Sequence, residues 1–153
     1  MFEILKSDIA KGDRVPDTTH IFYADMRGQE VVLKTKFDKD FHRPREEAAL
    51  LSNLSHPSIV KCFGYCEAKP EAYVVLEKAI GPVTPEWLAR TFKGRNGERA
   101  RALEVISICL QVGAGLKYLC ERKVLHRDIK PNNVLRFPDS TYKICDFDIS
   151  KRT

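Results

Sequence analysis

The segment His126-Arg127-Asp128-Ile129-Lys130-Pro131-Asn132-Asn133-Val134-Leu135 places a carboxylate, an ammonium group and an amide within six positions. A second carboxylate, Asp146, follows one predicted hairpin later. These four groups suit metal-assisted phosphoryl transfer. Asp128 can accept a hydroxyl proton, and Lys130 can neutralise a moving phosphoryl group. Asn133 and Asp146 offer the oxygen atoms that a hard divalent cation prefers. Taken singly, each has a plainer reading: Asn133 as a turn cap, Asp146 as a strand-end acid.

The elements around that segment must hold it. A long helix is predicted from about Ala100 to Arg122, with Val105, Cys109, Val112, Leu116 and Leu119 forming a stripe expected to face a core. Gly113 and Gly115 interrupt it, which predicts close packing against a neighbour. Phe137-Pro138-Asp139-Ser140 reads as a turn, and Tyr142-Lys143-Ile144-Cys145 as the short strand that delivers Asp146. Upstream, Thr84 and Pro85 mark the start of a helix that ends near Lys93-Gly94, with Trp87 packing along it. Gly81-Pro82 is the expected boundary between a strand-rich part and a helix-rich part.

Before that boundary, Thr19 to Ala24 and Glu30 to Lys34 read as a hairpin around the turn Met26-Arg27-Gly28-Gln29. Residues 43–54 read as a helix, with Pro44 in its first turn and Ala48, Leu50, Leu51 and Leu54 on an apolar face. Ile59 to Tyr65 and Ala72 to Leu76 read as two further strands, parted by the polar turn over 67–71. Lys34 ends an apolar strand, where a charge calls for a partner. A surface ion pair with Glu47 would contribute only ~0–1 kcal/mol.

A chain of 153 residues that is 43% hydrophobic and 31% charged has enough apolar material for an ordinary globular core. No apolar run is expected to reach membrane-spanning length, and residues 1–6 lack the pattern of a secretory signal, so a cytoplasmic or nuclear setting is expected. The net charge of +5 is spread among acids rather than gathered in a block, which argues against a nucleic-acid partner. Five cysteines, none in a Cys-x-x-Cys pair, are expected to be reduced and mostly buried.

Val31-Val32-Leu33-Lys34, His126-Arg127-Asp128-Ile129-Lys130-Pro131-Asn132-Asn133 and Asp146-Phe147-Asp148, in this order, resemble the signature of a protein kinase domain. Lys130, two positions after Asp128, resembles the serine/threonine branch. The resemblance covers the whole chain and implies an α+β fold. A small antiparallel β lobe with one helix would occupy residues 1–80, and the first part of a helical lobe with the catalytic loop would occupy 81–153. It implies ATP and Mg2+ as cofactors, and a protein substrate or a partner kinase. Asp128 would orient the substrate hydroxyl, Lys130 would steady the phosphoryl group, and Asn133 and Asp146 would hold magnesium. Lys34, paired with Glu47 (or with Glu46 as the fallback), would reach the ATP phosphates. Gly12 would lie in the phosphate loop. Glu77-Lys78-Ala79 would be the hinge that meets adenine, with Leu76 and Leu135 lining the pocket. His126 would pack under the loop.

The sequence departs from that pattern at four places. The phosphate loop has Gly12 alone, amid Ala10, Arg14 and Pro16. Val32 stands where relatives usually carry Ala. Asp148 replaces the glycine of Asp-Phe-Gly. The chain ends seven residues after Asp146, so the resemblance implies truncation before the activation segment, leaving apolar surface on the long helix. Three functions follow: the ATP-binding and catalytic-loop half of a kinase, a non-catalytic mimic that binds or regulates another kinase, or an incomplete product with no function of its own.

Overall fold

In an antiparallel strand alternate side chains point to opposite faces, so one run of residues can serve a core and a site together. Strand β3, Gln29–Lys36, does this: Val31, Leu33 and Thr35 are buried on one face, and Val32 and Lys34 take the other. The computed structural model describes residues 3–36, 42–94 and 96–153. Those residues fall into two compact units. The first runs through Ser55 and resumes over Lys61–Lys78; the second comprises His56–Val60 and Ala79–Thr153.

The first unit is a five-stranded antiparallel sheet with one helix. Its strands are β1 (Ile9–Arg14), β2 (Ile21–Met26), β3, β4 (Cys62–Ala68) and β5 (Glu71–Glu77), in spatial order β1-β2-β3-β5-β4. The β2–β3 connection is two residues long. Arg27 and Gly28 both have positive φ, 53° and 83°, the geometry that matches the twist of a tight hairpin. Ala24, Val31, Leu33, Cys66, Tyr73 and Val75 close one face of the sheet. Helix α1, His42–Ser52, packs against β4 and β5 through Glu47, Ala48 and Leu51.

The expected strand Ile59–Tyr65 instead begins at Cys62. Ile59 and Val60 leave the sheet because the groups flanking Ile59 pair with Ile144 in the second unit's own framework: Val60 N–H donates to the Ile144 carbonyl at 2.9 Å, and the Ser58 carbonyl accepts from the Ile144 N–H at 2.8 Å.

The second unit contains a short strand β6 (Gly81–Pro82), helices α2 (Pro85–Thr91) and α3 (Gly97–Glu121), then β7 (Val124–Leu125), β8 (Val134–Phe137), β9 (Thr141–Ile144) and β10 (Lys151–Arg152). The β strands form a β6-β8-β9 sheet and a β7–β10 pair. Thr84 caps α2, its hydroxyl accepting from the Trp87 N–H at 3.1 Å. Val83, Ile108, Val134 and Tyr142 form one core cluster of the unit, with Trp87, Leu88 and Val112 against it.

Helix α3 differs from its expected packing. Its buried positions are Gly97, Ile108, Gly115 and Leu119; of the expected stripe Leu119 is buried and Val112 half-buried, while Ile108 and Gly115 take the place of the rest because β7 and β9 lie on that side. Val105, Cys109 and Leu116 are exposed and, with Val112, line an open apolar groove of about 470 Å³. The cysteine expectation changes for the same reason. Cys109 and Cys120 each follow a buried residue by one position, about 100° around the helix, and are exposed; only Cys66 is buried. By length and composition alone α3 would also suffice to cross a membrane, contrary to expectation, because one continuous helix joins apolar pieces that the two glycines punctuate.

Of the two glycines, only Gly115 sits in close packing. A Cβ there would lie 3.0 Å from Ile144 Cδ1 and 3.1 Å from the Ser58 carbonyl, whereas Gly113 has open space. Gly113→Ala is therefore expected to raise stability by about 1 kcal/mol through helix propensity. Gly115→Ala should lower stability despite the same propensity gain. Urea unfolding of both variants checks the opposite signs.

Candidate functional site

Each unit carries part of the expected constellation. In the first, the β3 register places Lys34 opposite Ile21 on β2 and Val74 on β5, on the face away from Leu33. Its Nζ lies 3.0 Å from Glu47 Oε1 and 3.3 Å from Oε2. The side chains are 12% and 2% exposed, so the pair is internal rather than a surface contact. Glu46, one position along the helix, is exposed. Removing one member of such a pair leaves a charge stranded in a poor solvent, at a cost of about 3–5 kcal/mol.

Gly12 is placed differently from its expected loop. It lies inside β1, near a register shift against β2, and a Cβ there would meet the Tyr23 carbonyl at 3.3 Å. Its lack of a side chain thus serves strand packing. The β1–β2 connection contains Pro16 and Asp17 and no glycine, and Thr18 Oγ1 closes it by donating to the Val15 carbonyl at 2.7 Å. Gly12 is also two strands away from Lys34. Glu77 ends β5, where its Oε1 accepts from the Lys61 N–H at 2.7 Å. Val32 faces the same side as Lys34, paired with Leu76.

In the second unit, β7 leads into the loop that carries Asp128, Lys130 and Asn133. His126 is 4% exposed and holds the loop from beneath. Its Nδ1 accepts from the Asp128 N–H at 3.2 Å, so Nε2 carries the proton and donates to the Cys145 carbonyl at 2.9 Å. The ring stands edge-on to buried Phe147, centroids 4.7 Å apart. Arg127 turns the chain with φ 70°, and Ser150 Oγ donates to the His126 carbonyl at 3.2 Å. Phe147 and Ser150 thus support the loop through contacts that lie far from it in sequence. An aromatic flanked by two acids was the available signal for Phe147; Ser150 had none.

Asp128 Oδ2 receives two donors, Lys130 Nζ at 2.9 Å and Asn133 Nδ2 at 2.9 Å. The Asn133 nitrogen also donates to the Asp128 carbonyl at 2.9 Å. With its nitrogen so engaged, the Asn133 amide could offer its oxygen to a cation, and the residue is 6% exposed. Asp128 Oδ1 accepts no hydrogen bond among the described residues. The Lys130 ammonium holds the Asp128 carboxyl below the usual carboxylate range, and Asp128 in turn raises Lys130.

Asp146 comes next to Asn133 through the hairpin: Val134 pairs with Ile144, and the Cys145 N–H donates to the Asn133 carbonyl at 2.9 Å. Asp146 has φ 63°, which turns the backbone at the end of the hairpin. Asp148 does not have positive φ, so the backbone at that position needs no glycine. Leu135 lies on β8, paired with Pro82 and Lys143, and Ala79 opens the second unit's main stretch. Asn133 and Asp146 together supply hard oxygen ligands of the type that suits magnesium.

A family model, the protein kinase domain, matches residues 22–153. The serine/threonine-protein kinase Nek1 of Mus musculus is 28% identical over 123 residues, which is 80% of this chain and 10% of that protein. The tyrosine-protein kinase Fer of Mus musculus is 31% identical over 107 residues, 70% of this chain and 12% of Fer. An Aurora kinase of Encephalitozoon cuniculi is 36% identical over 103 residues, 67% of this chain and 36% of that kinase. The chain therefore spans about a third or less of the length of these relatives.

Two measurements check the site's electrostatics. Because the Asp128 pKa is depressed by Lys130, the carboxylate is charged throughout and above the ordinary carboxylate range, and protonates only as pH falls below it. Lys130→Met should move that titration upward, as followed by carboxyl 13C shifts against pH; an unmoved titration would refute the assignment of cause. Glu47→Ala should lower unfolding free energy by about 3 kcal/mol, and Glu46→Ala by no more than about 0.5 kcal/mol, in parallel urea titrations.

Proposed function

We propose that this chain, which belongs to the protein kinase domain family, carries the nucleotide-binding and catalytic-loop groups for phosphoryl transfer from ATP to a serine or threonine hydroxyl. The observation that carries the reading is the two-donor clamp on Asp128 Oδ2. It fixes the carboxylate, lowers its basicity without protonating it, and leaves Oδ1 to accept a hydrogen bond from a substrate hydroxyl. Lys130 then lies beside that oxygen pair, where a transferring phosphoryl group would carry negative charge. Choosing serine or threonine over tyrosine rests on Lys130 two positions after Asp128. The named relatives include kinases of both kinds.

Asn133 and Asp146 would hold Mg2+, which would supply positive charge to offset that of the phosphates. Lys34 would pair with the α and β phosphates, held extended by Glu47. The Glu77–Ala79 backbone would meet the adenine and Leu135 would pack on it. Each of these residues binds or orients; the proton step belongs to Asp128.

A second reading is favoured by one observation: the β1–β2 connection offers a proline and no glycine where amides would approach phosphates. On that reading the chain binds another kinase without transferring phosphate. The two diverge in a titration of ATP with and without Mg2+. The catalytic reading expects a thermal upshift that needs magnesium and is lost in Asp146→Asn. It also expects phosphoryl transfer that Asp128→Ala abolishes while nucleotide binding persists. No heat and no upshift at high nucleotide would exclude the catalytic reading and leave the binding one.

A further inference from the structure

The separation of Asn133 and Asp146 is set by strand register. Asn133 directly precedes β8, Asp146 lies two residues beyond β9, and four residue pairs from Val134↔Ile144 to Phe137↔Thr141 fix the two strands against each other. Any slide of β9 along its axis would carry Asp146 away from Asn133. The turn that closes this hairpin is a weak anchor. Asp139 and Ser140 both have positive φ, 59° and 50°, without a glycine, a conformation that costs L residues about 1–2 kcal/mol each.

Strand β8 lies between β6 and β9, so β9 has one outer edge. Backbone groups along that edge need partners, and the structure supplies them in two ways. At one end, Ile144 N–H donates to the Ser58 carbonyl at 2.8 Å, and its carbonyl accepts from Val60 N–H at 2.9 Å. At the other end the partner is a side chain. Gln111 Oε1 accepts from the Tyr142 N–H at 2.8 Å, and its Nε2 donates to the Ser140 carbonyl at 2.8 Å. One amide thus bridges the carbonyl of one residue and the N–H two residues on, as a neighbouring strand would. The same Nε2 donates to Ser107 Oγ at 3.2 Å, which ties the amide to its own helix. Glu104, one helical face along from Ser107 and Gln111, accepts from the Tyr142 hydroxyl.

We infer that Gln111 is a positioning residue for the cation ligands: by pinning the Ser140–Tyr142 edge to α3, it fixes β9 along its axis and so holds Asp146 beside Asn133. This rests on the reading of Asn133 and Asp146 as the magnesium ligands. Gln111 itself lies on α3, at the end of the hairpin away from both ligands, and it touches neither. Its effect is expected on cation affinity rather than on the nucleotide alone.

The test uses Mn2+ as the probe, with its binding read by electron paramagnetic resonance on the full chain with ATP present. Gln111→Leu removes both bonds to the hairpin and is expected to raise the Mn2+ dissociation constant by about tenfold, the scale of effect seen when partners supporting a metal ligand are lost. Gln111→Glu keeps the acceptor for Tyr142 N–H and loses the donor, so a smaller rise is expected, and it carries the test if Gln111→Leu does not fold. ATP affinity in excess chelator should stay unchanged in both. Amide exchange at Tyr142 should quicken in Gln111→Leu, which shows that the clamp has opened. Quickened exchange with unaltered Mn2+ affinity overturns the inference and leaves Gln111 a purely structural clamp. Wild-type chain that binds Mn2+ no better than Asn133→Ala overturns the metal reading itself, and the positioning role with it.

Discussion

The hydrogen bond from the Cys145 N–H to the Asn133 carbonyl is the constraint on which the second unit's chemistry depends. It extends the β8–β9 ladder by one step past the paired residues, so that Asn133 and the strand-end acid Asp146 become neighbours. The groups on either side of it serve this junction. His126 donates to the Cys145 carbonyl and accepts from the Asp128 N–H, joining the loop to the strand from below. Phe147 seals the histidine from the side. A loop tied at His126, Asp128 and Asn133 can present Asp128 in one orientation.

The Lys34–Glu47 and Lys130–Asp128 pairs do different work because their surroundings differ. Lys34 and Glu47 are enclosed, so their pairing is chiefly a condition for burying either charge at all. Lys130 and Asp128 are open to water, with side chains 53% and 33% exposed, and there the pairing sets orientation and basicity with little bearing on stability.

Helix α3 shows how much of a helix a small sheet can cover. Ile108, Gly115 and Leu119 meet β9 and β7, with Gly115 admitting Ile144 and the Ser58 carbonyl at near contact. Leu103, Ile106 and Leu110 are left exposed, and the groove along Val105, Cys109 and Leu116 is apolar and open. In the second unit Val83, Ile108, Val134 and Tyr142 pack as one cluster, and Leu119, Val124, Ile144 and Phe147 are buried as well.

The sequence by itself determined the local chemistry. The motifs around Lys34, Asp128 and Asp146 identified the family, Thr84 and Pro85 announced a helix start, and the turn at Arg27-Gly28 announced a hairpin, because each depends on residues close in the chain. Tertiary structure decided whatever depended on which neighbour arrives. It turned α3 so that Ile108 rather than Cys109 faces the core, and it drew Ile59 and Val60 out of a predicted strand to cover the edge of β9. It placed Gly12 within a strand. It set Glu47, the acid the sequence already favoured, against Lys34 and left Glu46 exposed. An apolar stripe in sequence leaves the choice of facing side degenerate. The degeneracy is lifted only when another element buries one face and leaves the other to water.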